Sequence, residues 1–275
     1  YLENATEVDV DAIADHSSRV VIGGLMEHIE PAGIHSGDSA CALPAVTLGE
    51  EAKATIRQWS AALALALQVR GLINLQFAVQ RDSEGREVVF IIEANPRASR
   101  TVPFVAKATG VPLAKIASQV MAGRSLENLG LTAEPVPPLQ TVKEAVLPFK
   151  RFPGSDTVLG PEMRSTGEVM GFADSFGYAY AKAEIGAGEA LPTTGTVFLS
   201  THDRDKTALL PVASRLAELG FDLIATSGTA SALQVHGLTV ETVLKVHEGR
   251  PNIEDAIRSG RIQLIINTPI GRQAA

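Results

Sequence analysis

The chain opens on an alternation. Glu7-Val8-Asp9-Val10-Asp11-Ala12 sets acids and apolar residues at every second position, the period of a half-buried strand. An apolar run over residues 20–25, β-branched at first, predicts its partner. Residues 27–41 are dense in Gly, His, Ser and Asp and read as a loop. Thr47 with Glu50 three residues on has capping-box spacing. A helix is therefore predicted over 50–69, with Ile56, Trp59, Leu63 and Leu67 on one stripe. Strand patterns over 72–80 and 87–94 flank the turn residues Asp82-Ser83-Glu84-Gly85, so an antiparallel hairpin is expected. Pro112 and Gly123 bracket a predicted helix over 112–122. Pro135, Pro137 and Pro138 mark a break, and strand patterns resume over 141–147 and 167–172.

The rhythm then changes. A strand is predicted over 196–200 and a helix over 206–219, stopped by Gly220. A strand over 223–226, a short helix after Ser227-Gly228-Thr229 and a strand over 262–266 follow. Strands alternating with helices imply a parallel sheet with helices on its faces. The composition shift at Gly186-Ala187-Gly188 sets the expected boundary, giving domains 1–187 and 188–275. No internal repeat or low-complexity segment stands out.

Composition narrows the classes. A length of 275 residues agrees with about two domains. The net charge of −7 argues against a nucleic-acid-binding surface, which needs clustered Lys and Arg. With 45% apolar and 20% charged residues, the chain can bury a core. The single cysteine, Cys41, excludes an intrachain disulfide and suits a reducing, cytoplasmic setting. No apolar run reaches the ~18 residues of a bilayer span, so no membrane partner is expected. The start, Tyr1-Leu2-Glu3-Asn4, and the end, soon after Ile265-Ile266-Asn267, both read as the interior of a longer protein.

Candidate chemistry gathers at the hairpin. Gln76 lies in one strand, and Glu93 and Asn95 end the other at i and i+2, on one face. One carboxylate and two amide oxygens are hard donors suited to a magnesium ion that also grips phosphate. The alternative is an exposed polar strand end. In Asn95-Pro96-Arg97-Ala98-Ser99-Arg100, two guanidiniums match carboxylate or phosphate geometry; alternatively they are solvated arginines near a helix start. The loop Gly33-Ile34-His35-Ser36-Gly37-Asp38 brings backbone amides and an imidazole to a ligand, or is a plain surface loop. Ala225-Thr226-Ser227-Gly228-Thr229 ends a strand and opens a helix, either an anion site, with Lys206 and Lys245 adding charge, or a simple cap. No P-loop, dinucleotide fingerprint, zinc-protease or nucleophile-elbow motif is present.

Three long motifs carry a family resemblance. They are Met26-Glu27-His28-Ile29-Glu30-Pro31-Ala32-Gly33-Ile34-His35-Ser36-Gly37-Asp38-Ser39-Ala40, then Ile92-Glu93-Ala94-Asn95-Pro96-Arg97 with Arg100-Thr101-Val102-Pro103-Phe104, and Gly160-Pro161-Glu162-Met163-Arg164-Ser165-Thr166-Gly167-Glu168-Val169-Met170-Gly171. Over essentially the whole length the chain resembles the large subunit of carbamoyl-phosphate synthase. The resemblance implies an α/β chain. Its first part is the C-terminal part of the second ATP-grasp half, with an antiparallel sheet. A doubly wound, parallel-sheet domain similar to methylglyoxal synthase follows.

The resemblance also implies roles. The half it matches phosphorylates carbamate with ATP, in a protein serving pyrimidine and arginine biosynthesis. Gln76, Glu93 and Asn95 match ligands of Mg2+ or Mn2+, and Arg97 and Arg100 match catalytic arginines near carbamate or its phosphate. Leu2, Glu7, Gly33, Ile34, His35, Ser36, Gln76 and Glu93 match ATP-binding positions, and potassium is implied near Glu7, His28 and Ser39. Lys206, Thr226, Thr229, Lys245, Asn267 and Thr268 match positions that hold UMP or IMP. Glu30, Asp38 and Glu144 match the acids that receive the ammonium of ornithine. A glutamine amidotransferase small subunit is the implied partner, in an oligomer. The phosphate-covering lid of the family is not in this sequence, so the chain alone is expected to be inactive. Two alternatives are a stand-alone UMP- or IMP-binding regulatory module and a methylglyoxal-synthase-like lyase over 188–275.

Overall fold

The computed structural model describes Leu2 and residues 5–152 and 154–268. The chain divides into two compact units, Tyr1–Glu189 and Ala190–Ala275. The architecture is mixed α/β: an antiparallel sheet in the first unit and a separate parallel sheet in the second. Among the described residues no helix is long and apolar enough to cross a membrane.

The first unit is built on seven antiparallel strands. In chain order they are β1 (Thr6–Ala14), β2 (Val20–Pro31), β3 (Cys41–Leu43), β4 (Gly71–Arg81), β5 (Glu87–Asn95), β6 (Gln140–Val146) and β7 (Gly167–Ala173). Across the sheet the order is β5-β4-β1-β2-β3-β6-β7. The predicted hairpin is β4–β5. Four helices accompany the sheet: α1 (Glu50–Ala66), α2 (Val102–Thr109), α3 (Leu113–Met121) and α4 (Phe176–Ala187).

Three expectations are corrected. The stretch read as a loop over 27–41 is strand as far as Pro31 and strand again from Cys41. Thr47 does not cap α1: the N-cap is Gly49 without a side-chain bond, and the Thr47 hydroxyl donates to Glu27 instead. The buried stripe of α1 is Ala52, Ile56, Ser60 and Ala64, whereas Trp59 and Leu67 are exposed. Small side chains let the helix lie close on the sheet, and close packing outranks residue size here.

The central strand β1 is buried on both faces rather than one. Val8, Val10, Ala12 and Ala14 pack with Ile73, Leu75 and Phe77 of β4 and with Ala52, Ile56 and Ala64 of α1. On the opposite face, Ile13, Val21 and Met26 meet Val102, Val105, Leu113, Ala117 and Val120 of α2 and α3. Gly24 makes this seating possible, because a methyl group there would stand 2.8 Å from a Val105 side-chain carbon. Further along that face the positions are polar: Glu7, Asp9 and Asp11, all buried. A second close approach sets α4 on β7, where a methyl on Gly171 would stand 2.0 Å from the Ala179 carbonyl oxygen.

The second unit has four parallel strands: β8 (Thr196–Ser200), β9 (Asp222–Thr226), β10 (Glu241–Val243) and β11 (Ile262–Asn267). Their order is β10-β9-β8-β11, with α5 (Lys206–Glu218), α6 (Ser227–Gln234) and α7 (Ile253–Arg258) as connections. Val197, Leu199, Leu223 and Ala225 meet Leu209, Ala213, Ala230 and Leu233 in its core. The helix α7 starts at a capping box: Asn252 Oδ1 accepts from the Glu254 amide, and the Asp255 carboxylate accepts from the Asn252 amide at 3.0 Å.

Candidate functional site

The polar end of the first sheet opens into a cavity of about 730 Å³. Its floor comes from strand register. Asp9 lies opposite Gln76, and Gln76 opposite Glu93. Asn74 lies opposite both Asp11 and Asn95. Directly opposed residues share a face, so six polar side chains project together. A register shift between Gln76 and Phe77 lets β5 carry one extra residue, and Glu93 and Asn95 keep the face of Gln76.

The oxygen donors proposed for a metal are thus brought together. Gln76 and Glu93 line the cavity, and Asn95 Nδ2 donates to Glu93 Oε1 at 2.7 Å, which leaves the Asn95 oxygen free. One carboxylate with two amide oxygens is a hard-donor set that fits Mg2+ or Mn2+. Among the described residues no group of three or more His, Cys, Asp or Glu gathers as a metal cluster.

Arg97 and Arg100 line the same cavity. Neither is in an ion pair among the described residues. Arg97 donates to its neighbour's carbonyl, Ala98 O, at 3.1 Å, and Arg100 lies against the Met163 sulfur. Gly33, Ile34, His35 and Ser36 form another wall. That loop is held from behind: the His35 amide donates to Gly160 O at 2.8 Å, and Lys143 Nζ donates to Ser36 O at 3.1 Å. Gly33 has φ of +101° and its amide faces Glu7 Oε2 at 3.5 Å, a turn that favours glycine. Leu2 is half-buried and does not line this cavity.

The acids respond to burial. Burial pushes the Glu7 carboxyl above its ordinary value. It pushes Asp11 up to about 6, against the pull of the Ser99 and Thr101 hydroxyls. His28 Nε2 sits 3.2 Å from Asp9 Oδ2. Burial disfavours charge on this imidazole, but Cys41 and Asp9 beside it prevail and hold its pKa well above the ordinary range. Of the three residues expected near potassium, His28 is thus engaged with Asp9. The buried Ser39 hydroxyl donates to His35 O at 3.5 Å.

The three acids expected around an ammonium separate. Burial raises both Glu30 and Glu144, the latter to about 7, with the charge of Glu30 adding to the rise at Glu144. Glu144 is 7% exposed and its Oε2 has no hydrogen-bond partner. Asp38 is committed elsewhere. Its carboxylate accepts from the Arg164 amide at 2.7 Å and the Ser165 amide at 2.8 Å. Burial opposes its charge, but these donors outweigh burial and hold its pKa low. Helix α4 supplies what the sequence reading missed: burial raises Tyr180 as it does Glu144, and Glu184 adds to both. The i,i+4 spacing of Tyr180 and Glu184 was the available signal.

Other residues of the first cavity also escaped the sequence reading: Asp9, Asn74, Ser99, Thr101, Lys143 and Glu168. The acidic alternation of β1 signalled the first of them.

The second unit has its own cavity, of about 460 Å³. Lys206, Thr226, Thr229, Lys245, Asn267 and Thr268 all line it. It lies at the carboxyl ends of β8, β9 and β11, where parallel sheets present ligands to helix N-termini. Lys206 Nζ pairs with Asp203 at 2.7 Å, and the Thr229 hydroxyl accepts from the Thr201 amide at 3.2 Å. The Thr268 hydroxyl accepts from the His202 amide at 2.8 Å.

Comparison with known proteins follows this division. The family model described as carbamoyl-phosphate synthase L chain, ATP binding domain, matches residues 1–129. The model of the MGS-like domain matches residues 208–275. The carbamoyl phosphate synthase large chain of Nostoc sp. is 63% identical over 274 residues, which span 100% of this chain and 25% of that protein. The large chain of Pasteurella multocida is 59% identical over 98% of this chain and 25% of its own length. The arginine-specific chloroplastic large chain of Oryza sativa subsp. japonica is 57% identical over 98% of this chain and 23% of its own. The chain thus spans about a quarter of the length of these curated relatives. Among solved structures, the biotin carboxylase domain of a single-chain bacterial carboxylase superposes with a TM-score of 0.51 at 20% identity, covering 70% of this chain and 48% of the other. A biotin carboxylase complex from Campylobacter jejuni gives 0.52 at 15% identity, covering 67% and 45%. These two show the fold of the ATP-grasp class alone. High identity along the full chain, together with two family models in the order the sequence implies, means that the chain belongs to the carbamoyl phosphate synthase large chain family.

Proposed function

We propose that this chain is the carbamate-phosphorylating part of a carbamoyl phosphate synthase large chain, followed by its regulatory domain. The observation that carries the reading is the cavity where Gln76 and Glu93, with Asn95 hydrogen-bonded to Glu93 beside it, meet two arginines without an ion pair among the described residues. Phosphoryl transfer needs little covalent help from a protein; it needs in-line positioning and charge neutralisation. A divalent ion held by Gln76, Glu93 and Asn95 supplies charge for the phosphate oxygens when bound. Arg97 and Arg100 orient the carbamate anion and offset charge on the phosphoryl group in flight. A carbamate oxygen forms the new bond to the γ-phosphorus as the bond to ADP breaks. The Gly33–Ser36 wall and Glu7 bind the nucleotide, and Leu2 contributes to the base side. Potassium beside Glu7 and Ser39 belongs to the same reading.

In this reading the second cavity takes a nucleotide monophosphate, UMP or IMP, with Lys206 and Lys245 on its phosphate. Glu30 and Glu144, joined by Glu184, face the ammonium of ornithine. Asp38 shapes the neighbouring loop through its amide bonds. The glutamine amidotransferase small subunit and oligomeric partners act on the complete protein, in the cytoplasm, and the chain alone does not turn over. The test is carbamate-dependent ADP formation by the complete large chain, compared with this chain alone. Carbamoyl phosphate made by this chain unaided overturns the division of labour. A second reading, a regulatory module without catalysis, draws on the six effector-site residues that share one cavity. UMP binding without Mg-nucleotide binding in the complete chain favours it.

A further inference from the structure

The segment that carries both arginines hangs on one buried carboxylate. Asp11 is 1% exposed, and both of its oxygens are in use. Oδ1 accepts from the Ser99 hydroxyl at 2.7 Å and the Asn74 amide at 3.1 Å, and Oδ2 accepts from the Thr101 hydroxyl at 2.6 Å. Ser99 and Thr101 flank Arg100. Their hydroxyls lie 2.8 Å apart, and Ser99 Oγ also accepts from the Val102 amide at 3.2 Å, which ties the segment to the first turn of α2. Nothing comparable holds the guanidiniums. They contact only the Ala98 carbonyl and the Met163 sulfur among the described residues.

We propose that Asp11 is a positioning residue for phosphoryl transfer: it fixes the main chain of residues 97–101 on β1 so that Arg97 and Arg100 converge on the reacting anion. The inference rests on the reading given above. An apolar residue at this place would serve packing better, since a buried charge without a cation partner is costly. The charge is useful because only a carboxylate accepts from two hydroxyls and an amide at once. Asparagine has nearly the same size but offers one acceptor oxygen, and its amide group would meet the Asn74 amide or a hydroxyl. It breaks the Asn74 arm or turns one hydroxyl from donor to acceptor, which weakens the tether, and it relieves the buried charge. Function and stability then move in opposite directions, which a scaffold role does not predict.

The experiment is Asp11→Asn in the complete large chain. The expected result is a melting temperature at pH 8 equal to or above wild type and an unchanged KM for ATP. Turnover of carbamate-dependent ADP formation falls about tenfold or more, the scale on which small misplacements act. If Asp11→Asn melts lower than wild type, Thr101→Val replaces it. That variant removes one arm and is expected to lower kcat about threefold with KM for ATP unchanged. Full turnover in a folded variant, or kcat and KM worsening together, overturns the proposal. Wild type without carbamate-dependent ADP formation overturns the functional reading and this inference together. An active wild type with an equally active variant overturns the role of Asp11 alone.

Discussion

The two cavities differ in the charge of their walls. The first has four carboxylates on its walls, Glu7, Asp9, Glu93 and Glu168, against Arg97, Arg100 and Lys143. The second has one, Asp203, already paired with Lys206, and is otherwise hydroxyls, an amide, a second lysine and an imidazole. The difference follows from the sheets. In the antiparallel sheet, side chains of adjacent strands face each other across a buried floor, so the ligand meets side-chain carboxylates. In the parallel sheet, the ligand meets strand ends and helix N-termini, whose amides already favour an anion. An acid-walled site needs a metal cation before it accepts phosphate; an amide-and-lysine site does not. Under the proposed function, catalysis and regulation divide along the same line as the two sheets.

The strongest test of this contrast is Glu93→Gln in the complete large chain. Loss of the one carboxylate among the three metal donors is expected to cut carbamate phosphorylation by about two orders of magnitude or more, on the scale of several kcal/mol for metal assistance. Glu93 is exposed, so circular dichroism should be unchanged. Near-normal ADP formation would falsify the metal role.

Metal removal separates the cavities next. With EDTA present, ATP binding to the complete large chain is expected to weaken about tenfold or more, while UMP binding stays within about twofold. Calorimetry with each nucleotide reads both. Equal sensitivity of the two sites would erase the distinction drawn here.

Lys206→Ala addresses the second cavity alone. Loss of one charge-assisted contact to phosphate is expected to weaken UMP about tenfold, with unregulated turnover unchanged. A dissociation constant for UMP equal to wild type counts against the site.

The smallest effect concerns Glu144. Its folded pKa of about 7 lies above the ordinary 4.5, so the native chain holds the proton more tightly than the unfolded chain does. That stabilisation is complete below pH 4.5 and is lost as pH rises through 7. Glu144→Gln should therefore raise the melting temperature at pH 8 by roughly 2–4 °C, for about 1 kcal/mol in a unit of this size. The gain should shrink toward pH 5. The same proton should weaken ornithine binding below pH 7. Calorimetric scans at the two pH values check the first, and titrations of ornithine the second.

The hairpin was legible because its chemistry is local. Period-2 patterning, a turn and the i,i+2 spacing of Glu93 and Asn95 suffice to put donors on one face. The strand–helix alternation after residue 195 was legible for the same reason. Helix α1 departs from its size pattern: large apolar Trp59 and Leu67 stay outside, whereas Ala52, Ser60 and Ala64 pack closely. Helix α2 showed in the sequence only as a helix start after Arg100 and α4 not at all, and their seating depends on Gly24 and Gly171 across from them. Thr47 had the spacing of a cap, but Glu27 from another strand offered its hydroxyl a better acceptor.

By itself the sequence determined the family, the order of the two architectures and the hairpin that sets Gln76, Glu93 and Asn95 on one face. The element order depends on period and nearest neighbours along the chain, and the family on its three long motifs. Only the tertiary structure decided what burial and register control. It enclosed both faces of β1 and turned its acids inward. It gave both oxygens of Asp11 to the arginine segment, committed Asp38 to two amides, and brought Glu184 to Glu144. A carboxylate reads the same in sequence whether it meets water, an amide or another acid. Its chemistry is set by the groups that folding brings within hydrogen-bonding and Coulomb range.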